Sequence, residues 1–139
     1  MRAYPLVILL LASSSFAAPE ADAEKTYDLL VTPPASVKSG EKAALRIEIR
    51  PKAGAAAHVD EHAPLSAKMK ASAGLHLVKA KFVHADAKAT ADKGAELAIA
   101  FEAVTAGAQE ISGDVDFFVC TEQWCARQQK KITAAVLVK

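Results

Sequence analysis

The sequence has little net charge and lacks several motifs that mark common classes of enzyme. Its 139 residues carry 17 basic and 16 acidic side chains, a formal net charge of +1 at pH 7. No excess of either sign therefore points to a nucleic acid or an anionic membrane surface as a partner. A glycine-rich phosphate-binding loop is missing, and no serine stands in the context of a nucleophile elbow. The sequence thus gives no support to a nucleotide-binding protein or a serine hydrolase.

An apolar run long enough to cross a bilayer is also missing, since that takes about 20 residues. The N-terminal run Leu6–Leu11 is short, follows the basic Arg2 and precedes the small residues of Ser15–Ala17. This order is typical of a secretory signal peptide over residues 1–17, with cleavage after Ala17. A buried N-terminal helix is the alternative. No cysteine lies near the cleavage position, so we expect a periplasmic or secreted protein without a lipid anchor.

The remainder has the size of one domain. Residues 18–24 are small and charged, and they predict a flexible leader. Residues 25–139 are long enough for a single domain with a hydrophobic core. In an oxidising compartment the chain's two cysteines can persist as a disulfide.

Short runs of alternating apolar and polar residues fill this domain, separated by turn residues such as Pro33-Pro34, Gly74 and Gly94. Period-two alternation over such short segments predicts an antiparallel sheet with one face in water. Seven runs in a domain of this size indicate an immunoglobulin-like β-sandwich. The runs are Tyr27–Val31, Leu45–Ile49, Leu65–Met69, Leu75–Phe82, Leu97–Phe101, Ile111–Val119 and Ile132–Val138.

The two cysteines fall at the tip of the last predicted hairpin. The four-residue loop Thr121–Trp124 places Cys120 directly opposite Cys125. The alternation also directs both side chains away from the core, where other proteins could reach them. A disulfide here closes a very short loop and therefore adds less stability than one that closes a long loop. A redox role and a purely structural role both remain open at this point.

The same register assigns neighbours to the cysteines. Phe118 lies opposite Arg127, so the two could form a cation–π contact. Arg127 would also favour a thiolate at Cys125, two residues away on the same face, and Trp124 in the loop could cover the sulfurs. An unbroken register places Gln128 and Lys130 on the core face, which predicts either a bulge or a strand end that projects beyond the sandwich.

Two patches resemble the N-terminal periplasmic domain of the thiol:disulfide interchange protein DsbD, and its shorter stand-alone relatives in particular. One patch comprises Phe117–Cys120, Cys125–Gln128 and Lys131–Thr133, and the other is His58–Leu65. The resemblance implies an immunoglobulin-like sandwich in which Cys120 and Cys125 cycle between dithiol and disulfide. It also implies partners: a membrane-embedded electron carrier and exported thioredoxin-like proteins, with no further cofactor.

The chain differs from that family in two places. Its cysteines have four residues between them, whereas the full-length protein has five. The stretch His84–Asp92, which matches the family's cap loop, contains no aromatic residue, so Trp124 or Phe118 would have to shield the sulfurs.

We therefore expect thiol–disulfide exchange through Cys120 and Cys125, supported by Phe118, Trp124 and Arg127. The alternative is a non-catalytic exported interaction module that carries a structural disulfide. A third class is a copper or zinc protein that uses some of the four histidines, His58, His62, His76 and His84. The spacing of His58 and His62 suits a metal site on a helix, but Pro64 and the strand pattern argue against a helix there, and we assign no metal ligands.

Overall fold

The computed structural model describes residues 22–139, so the predicted signal peptide and its cleavage site lie outside the described residues. Of the predicted leader, Ala23 is fully buried and Glu24 begins a short 3₁₀ helix, Glu24–Thr26. A second 3₁₀ helix covers His84–Asp86. Residues 22–139 form ten strands: β1 Tyr27–Thr32, β2 Lys42–Pro51, β3 His58–Val59, β4 Ser66–Ala71, β5 Leu75–Leu77, β6 Lys81–Val83, β7 Lys88–Ala89, β8 Ala95–Ala103, β9 Gly107–Cys120 and β10 Cys125–Val138.

The strands form two antiparallel sheets. The first has the order β1-β2-β8-β5, and β7 also pairs with β8; the second has the order β10-β9-β4-β6, and β3 also pairs with β9. Each of the seven predicted runs overlaps a strand, and the run Leu75–Phe82 divides between β5 and β6, which belong to different sheets. The predicted all-β, immunoglobulin-like sandwich is confirmed.

Apolar side chains from the inner faces of both sheets fill the core. The burial of β8 and β10 alternates along almost their whole length, because successive side chains of a strand point to opposite faces. The largest fully buried side chains include Leu45 and Ile47 of β2, Phe101 of β8, and Phe117 of β9. The apolar periodicity of the sequence therefore fixes which face of each strand packs inward.

The hairpin of β9 and β10 has the predicted register, with Cys125 opposite Cys120 and Arg127 opposite Phe118. Of the two alternatives that the sequence left open, the bulge is absent, and the register continues to the pair Val138 and Gly107. Gln128 is 3 % exposed and accepts a hydrogen bond of 2.8 Å from the Tyr27 hydroxyl, while Lys130 forms an ion pair with Glu24. Polar residues at the core end of β10 are thus satisfied by partners from the start of the domain.

Within residues 22–139, no helix is long and apolar enough to cross a membrane.

Replacing Tyr27 with Phe should lower the free energy of unfolding by about 1 kcal/mol, because it removes one buried hydrogen bond and little packing. The Tyr27 ring keeps its edge-to-face contact with Phe117, whose centroid lies 5.3 Å away. Burial raises the pKa of Tyr27 from 10.0 to about 12. The wild-type advantage should therefore be complete below pH 10.0 and be lost as the pH rises towards about 12. Denaturant titrations of both proteins at neutral and alkaline pH measure this difference.

Ser39→Ala is the control, since the Ser39 hydroxyl donates an exposed hydrogen bond to the Val104 carbonyl. Its loss should change stability by less than about 0.5 kcal/mol. Equal losses in the two variants would contradict the assigned role of the buried bond.

Candidate redox site

A disulfide joins Cys120, the last residue of β9, to Cys125, the first residue of β10. Their Cα atoms are 4.0 Å apart across the hairpin. The loop between them is closed by a hydrogen bond of 2.8 Å from the Thr121 amide to the Trp124 carbonyl. A second bond runs from the Gln123 amide to the Thr121 hydroxyl. The predicted cysteine hairpin is therefore present, and its loop is held by its own backbone.

The two sulfur-bearing residues differ in their access to solvent. Cys125 is exposed, as expected, but Cys120 is only 1 % exposed. The prediction that both cysteines are accessible is wrong for Cys120. Its cover comes from β3, which pairs with β9 on the side opposite β10 and places His58 directly across from Cys120. Cys125 is therefore the more accessible cysteine of the pair.

Asp60 follows β3 and lies against the buried sulfur. Its Oδ2 atom is 3.6 Å from Cys120 Sγ. Its other oxygen, Oδ1, accepts hydrogen bonds from the backbone amides of His62 and Ala63 at 2.7 and 3.0 Å. These amide bonds, chiefly the one from His62, lower the pKa of Asp60. The turn therefore holds a carboxylate in place with one oxygen directed at the disulfide.

His58 completes a cluster around the buried sulfur. One ring nitrogen of His58, one oxygen of Asp60 and Cys120 Sγ all lie within 4.8 Å of one another. His58 also lines an open cleft of about 390 Å³, together with His84, Lys88 and Lys93. Part of the stretch that matches the cap loop, residues 84–92, therefore borders the same cleft as the residue opposite Cys120.

Arg127 does not make the contact with Phe118 that the sequence suggested. Its guanidinium forms a two-pronged ion pair with Asp116, with Nε at 2.9 and 3.1 Å from the carboxylate oxygens. This pair lowers the pKa of Asp116 and raises that of Arg127. The expected stacking on Phe118 gives way because a charge-assisted bidentate pair is stronger than an exposed cation–π contact. The Asp116 carboxylate therefore offsets much of the positive potential that Arg127 would exert at Cys125.

Trp124 and Phe118 are both half-buried. Trp124 lines a shallow cleft of about 290 Å³ together with Thr26, Ala55 and Ala56. Phe118 lies on the same face of β9 as Cys120 and pairs with Arg127 across the hairpin. The shielding of the sulfurs by either residue stays a prediction, and the polar groups beside Cys120 come from β3 and the turn after it.

The remaining histidines are dispersed. His76 belongs to β5 in the other sheet, where it pairs with Glu102. The Nδ1 atom of His84 lies 2.9 Å from the Ala63 carbonyl, and His62 is exposed. Asp60 is the residue that sequence reasoning missed as part of the site. Asp60 belongs to the patch His58–Leu65. Its position beside Cys120 depends on the pairing of the two-residue strand β3 with β9.

Comparison with known proteins identifies no family. No protein-family model matches the chain, and no curated protein matches it. Among solved structures it is similar to a fragment of native alpha-2-macroglobulin from Escherichia coli, from domain MG7 to the C-terminus, with 19% identity and a TM-score of 0.47. That match covers 79% of this chain and 16% of the other, so the chain spans only a small part of that protein's length.

Two fimbrial proteins are also similar. AggA, the major subunit of aggregative adherence fimbriae type I from Escherichia coli, is 17% identical, with a TM-score of 0.40 over 81% of this chain and 94% of that one. The CooA pilin subunit from enterotoxigenic Escherichia coli is 12% identical, with a TM-score of 0.31 over 82% and 99%. Likenesses at these levels carry no information about function.

Asp116→Asn should increase the rate at which reduced Cys125 reacts with iodoacetamide at neutral pH. The substitution removes the carboxylate that neutralises Arg127 and so strengthens the positive field at Cys125. Arg127→Gln in the native background should lower the rate, because it removes the positive charge and leaves the Asp116 carboxylate without its cation. Timed alkylation with mass spectrometry of the Cys125 peptide gives both rates. An unchanged or lower rate in Asp116→Asn would contradict this account.

Proposed function

We propose that the protein is an exported thiol–disulfide exchange protein that relays electrons between its cysteine pair and thioredoxin-like proteins of the periplasm. The observation that carries the proposal is the asymmetry of the disulfide: an exposed Cys125 is bonded to a buried Cys120. The resemblance to the N-terminal domain of DsbD supports it, as does the signal-like N-terminus. A membrane-embedded carrier would be the second partner, as in the family that the chain resembles.

The exchange step assigns one role to each sulfur. When the pair is reduced, the Cys125 thiolate attacks a sulfur of the partner's disulfide, and the partner's other sulfur leaves as a thiolate. The Cys120 thiol then loses its proton and attacks Cys125 Sγ, which releases the partner's second sulfur. The pair gives up two electrons and becomes a disulfide, and the partner becomes a dithiol. The reverse sequence loads the pair with electrons from a donor dithiol.

The groups around Cys120 suit its part in this cycle. The Asp60 carboxylate, 3.6 Å from the sulfur, disfavours a second negative charge there. Cys120 is therefore held in its bonded or protonated form, and thiolate character resides on the exposed Cys125. His58 lies opposite Cys120 in the strand pairing, and one of its ring nitrogens is within 4.8 Å of the sulfur.

A structural purpose explains the bond less well, because the ring that it closes is short. The cysteines are five positions apart, and the chain-entropy relation assigns such a ring about 2 kcal/mol, against about 5 kcal/mol for a loop of 100 residues. The two ends are moreover already held together by the pairing of β9 and β10. The sandwich therefore has little need of the bond for its stability.

Reduction of the wild-type protein should leave the sandwich folded and lower its free energy of unfolding by about 2 kcal/mol. Denaturant titration with and without a phosphine reductant measures the difference. The double variant Cys120→Ala/Cys125→Ala is the matched control, and reductant should not affect it. Unfolding of the wild type upon reduction would favour the alternative, an interaction module that depends on a structural disulfide.

Single cysteine variants should trap partners unequally. Cys120→Ala leaves the exposed Cys125 without its resolving thiol, so mixed disulfides with thioredoxin-like proteins should accumulate. Cys125→Ala leaves only the buried thiol, and it should form at most about one tenth as much mixed disulfide as Cys120→Ala. Acid quenching of cells that export each variant, followed by non-reducing electrophoresis and mass spectrometry, identifies the trapped proteins.

Absence of mixed disulfides from both variants would refute the exchange function. Equal trapping by both would refute the roles assigned to the two sulfurs. Structural disulfides also contain buried cysteines, so the burial of Cys120 does not by itself separate the two functions. The trapping of partners by the two variants does separate them.

A further inference from the structure

We propose that reduction of the Cys120–Cys125 bond creates a binding site for one Zn²⁺ ion, with both sulfurs, His58 and Asp60 as ligands. The inference rests on the proposed function only in requiring that the bond can be reduced. It concerns the dithiol state that the pair enters when it has accepted electrons.

One of the distances between candidate ligand atoms already fits a tetrahedral ion. The candidate ligand atoms of His58, Asp60 and Cys120 lie within 4.8 Å of one another. Zinc bonds of about 2.3 Å to sulfur and about 2.1 Å to oxygen, at the tetrahedral angle, separate those two ligand atoms by about 3.6 Å. Cys120 Sγ and Asp60 Oδ2 are 3.6 Å apart. Cys125 Sγ is bonded to Cys120 Sγ, so rotation of its side chain after reduction can bring it to the fourth position.

The Asp60 carboxylate is oriented for coordination. Its Oδ1 atom is held by two backbone amides of the following turn, from His62 and Ala63, and Oδ2 faces the sulfur. Metal-binding carboxylates are commonly fixed in this way by hydrogen bonds to the oxygen that does not bind the ion. The turn therefore fixes the position of the Asp60 carboxylate before any ion binds.

The ligand types favour zinc. Two thiolates, a carboxylate and a neutral imidazole form a four-coordinate set of the kind Zn²⁺ accepts, whereas Cu(I) prefers sulfur ligands alone. The three negative charges would exceed the charge of the ion by one. Lys88 and Lys93 line the cleft beside His58 and can balance that excess. The open cleft, about 390 Å³ in volume, gives the ion a path to the site.

The chemistry balances through the exchange cycle. A donor dithiol gives two electrons and two protons to the disulfide and becomes oxidised itself. Zn²⁺ then displaces the two thiol protons, which pass to solvent. The bound ion must leave before the sulfurs can bond again, so zinc would hold the pair in its reduced form and stop electron transfer to a partner.

A zinc titration of the protein without its signal segment tests the proposal. The protein is reduced with a phosphine, and Zn²⁺ is titrated in competition with a chromogenic chelator; the disulfide form is treated in the same way without reductant. The reduced form should bind one ion at least about 100-fold more tightly than the disulfide form, because the latter lacks both thiolates. Co²⁺ in place of Zn²⁺ should give the intense sulfur-to-cobalt absorption of thiolate coordination.

Variants of the two non-sulfur ligands make the test specific. His58→Gln and Asp60→Asn should each weaken zinc binding by about 100-fold or more, beyond the loss of about 10- to 100-fold that is usual for outer-shell groups. His62→Gln is the matched control, because it replaces a histidine of the same segment whose ring is outside the cluster. Its affinity should equal that of the wild type, and circular dichroism confirms that each variant is folded.

Equal affinity of the reduced and disulfide forms would overturn the inference. So would wild-type affinity in both His58→Gln and Asp60→Asn, since the sulfurs would then bind the ion without the predicted partners. Failure of zinc binding alongside normal trapping of partners removes only this inference. Tight zinc binding without any trapped partner would instead overturn the exchange function and leave a metal site.

Discussion

Antiparallel pairing of β9 with β10 is the constraint on which the candidate site depends. The register is continuous from Cys125 opposite Cys120 to Val138 opposite Gly107, so the position of the sulfurs is set by the whole hairpin. The same pairing seats Gln128 beneath the Tyr27 hydroxyl. A shift by one residue would turn the apolar face of β10 towards water. The free-energy cost of that shift fixes the register, and the register places Cys125 opposite Cys120.

The second determinant is β3, which makes the two sulfurs unequal. Two residues of backbone pairing suffice to place His58 across from Cys120, and the turn that follows fixes Asp60 beside the sulfur. Cys125, on the other side of the bond, stays open. One cysteine is therefore exposed, and the other lies beside an imidazole and a carboxylate. The exchange cycle and the proposed zinc site both use this division.

Much of the fold follows from the sequence because apolar alternation is a strong signal in long strands. The runs Leu97–Phe101 and Ile111–Val119 predict the central strands β8 and β9, and the loop length predicts the pairing of Cys120 with Cys125. The burial of Cys120 could not be predicted in this way. It depends on β3, and a strand of two residues is too short to show any period.

Side-chain partners were the other limit of the sequence reasoning. The sequence assigned Phe118 to Arg127, whereas the structure pairs the guanidinium with Asp116, which lies diagonally across the hairpin. Gln128 suggested a bulge or a projecting strand end because the sequence could not show that Tyr27 would lie above it. In both cases the side-chain partner depends on tertiary contacts that the local sequence pattern does not show.

The reduction potential of the cysteine pair tests the central claim most directly. Equilibrating the protein with thioredoxin, or with glutathione buffers of known ratio, gives the value. An exchange protein with one accessible sulfur and a short ring should fall among the known exchange proteins, at about −270 to −120 mV. A potential below about −300 mV, together with no reaction with thioredoxin, would mark a structural disulfide and contradict the account.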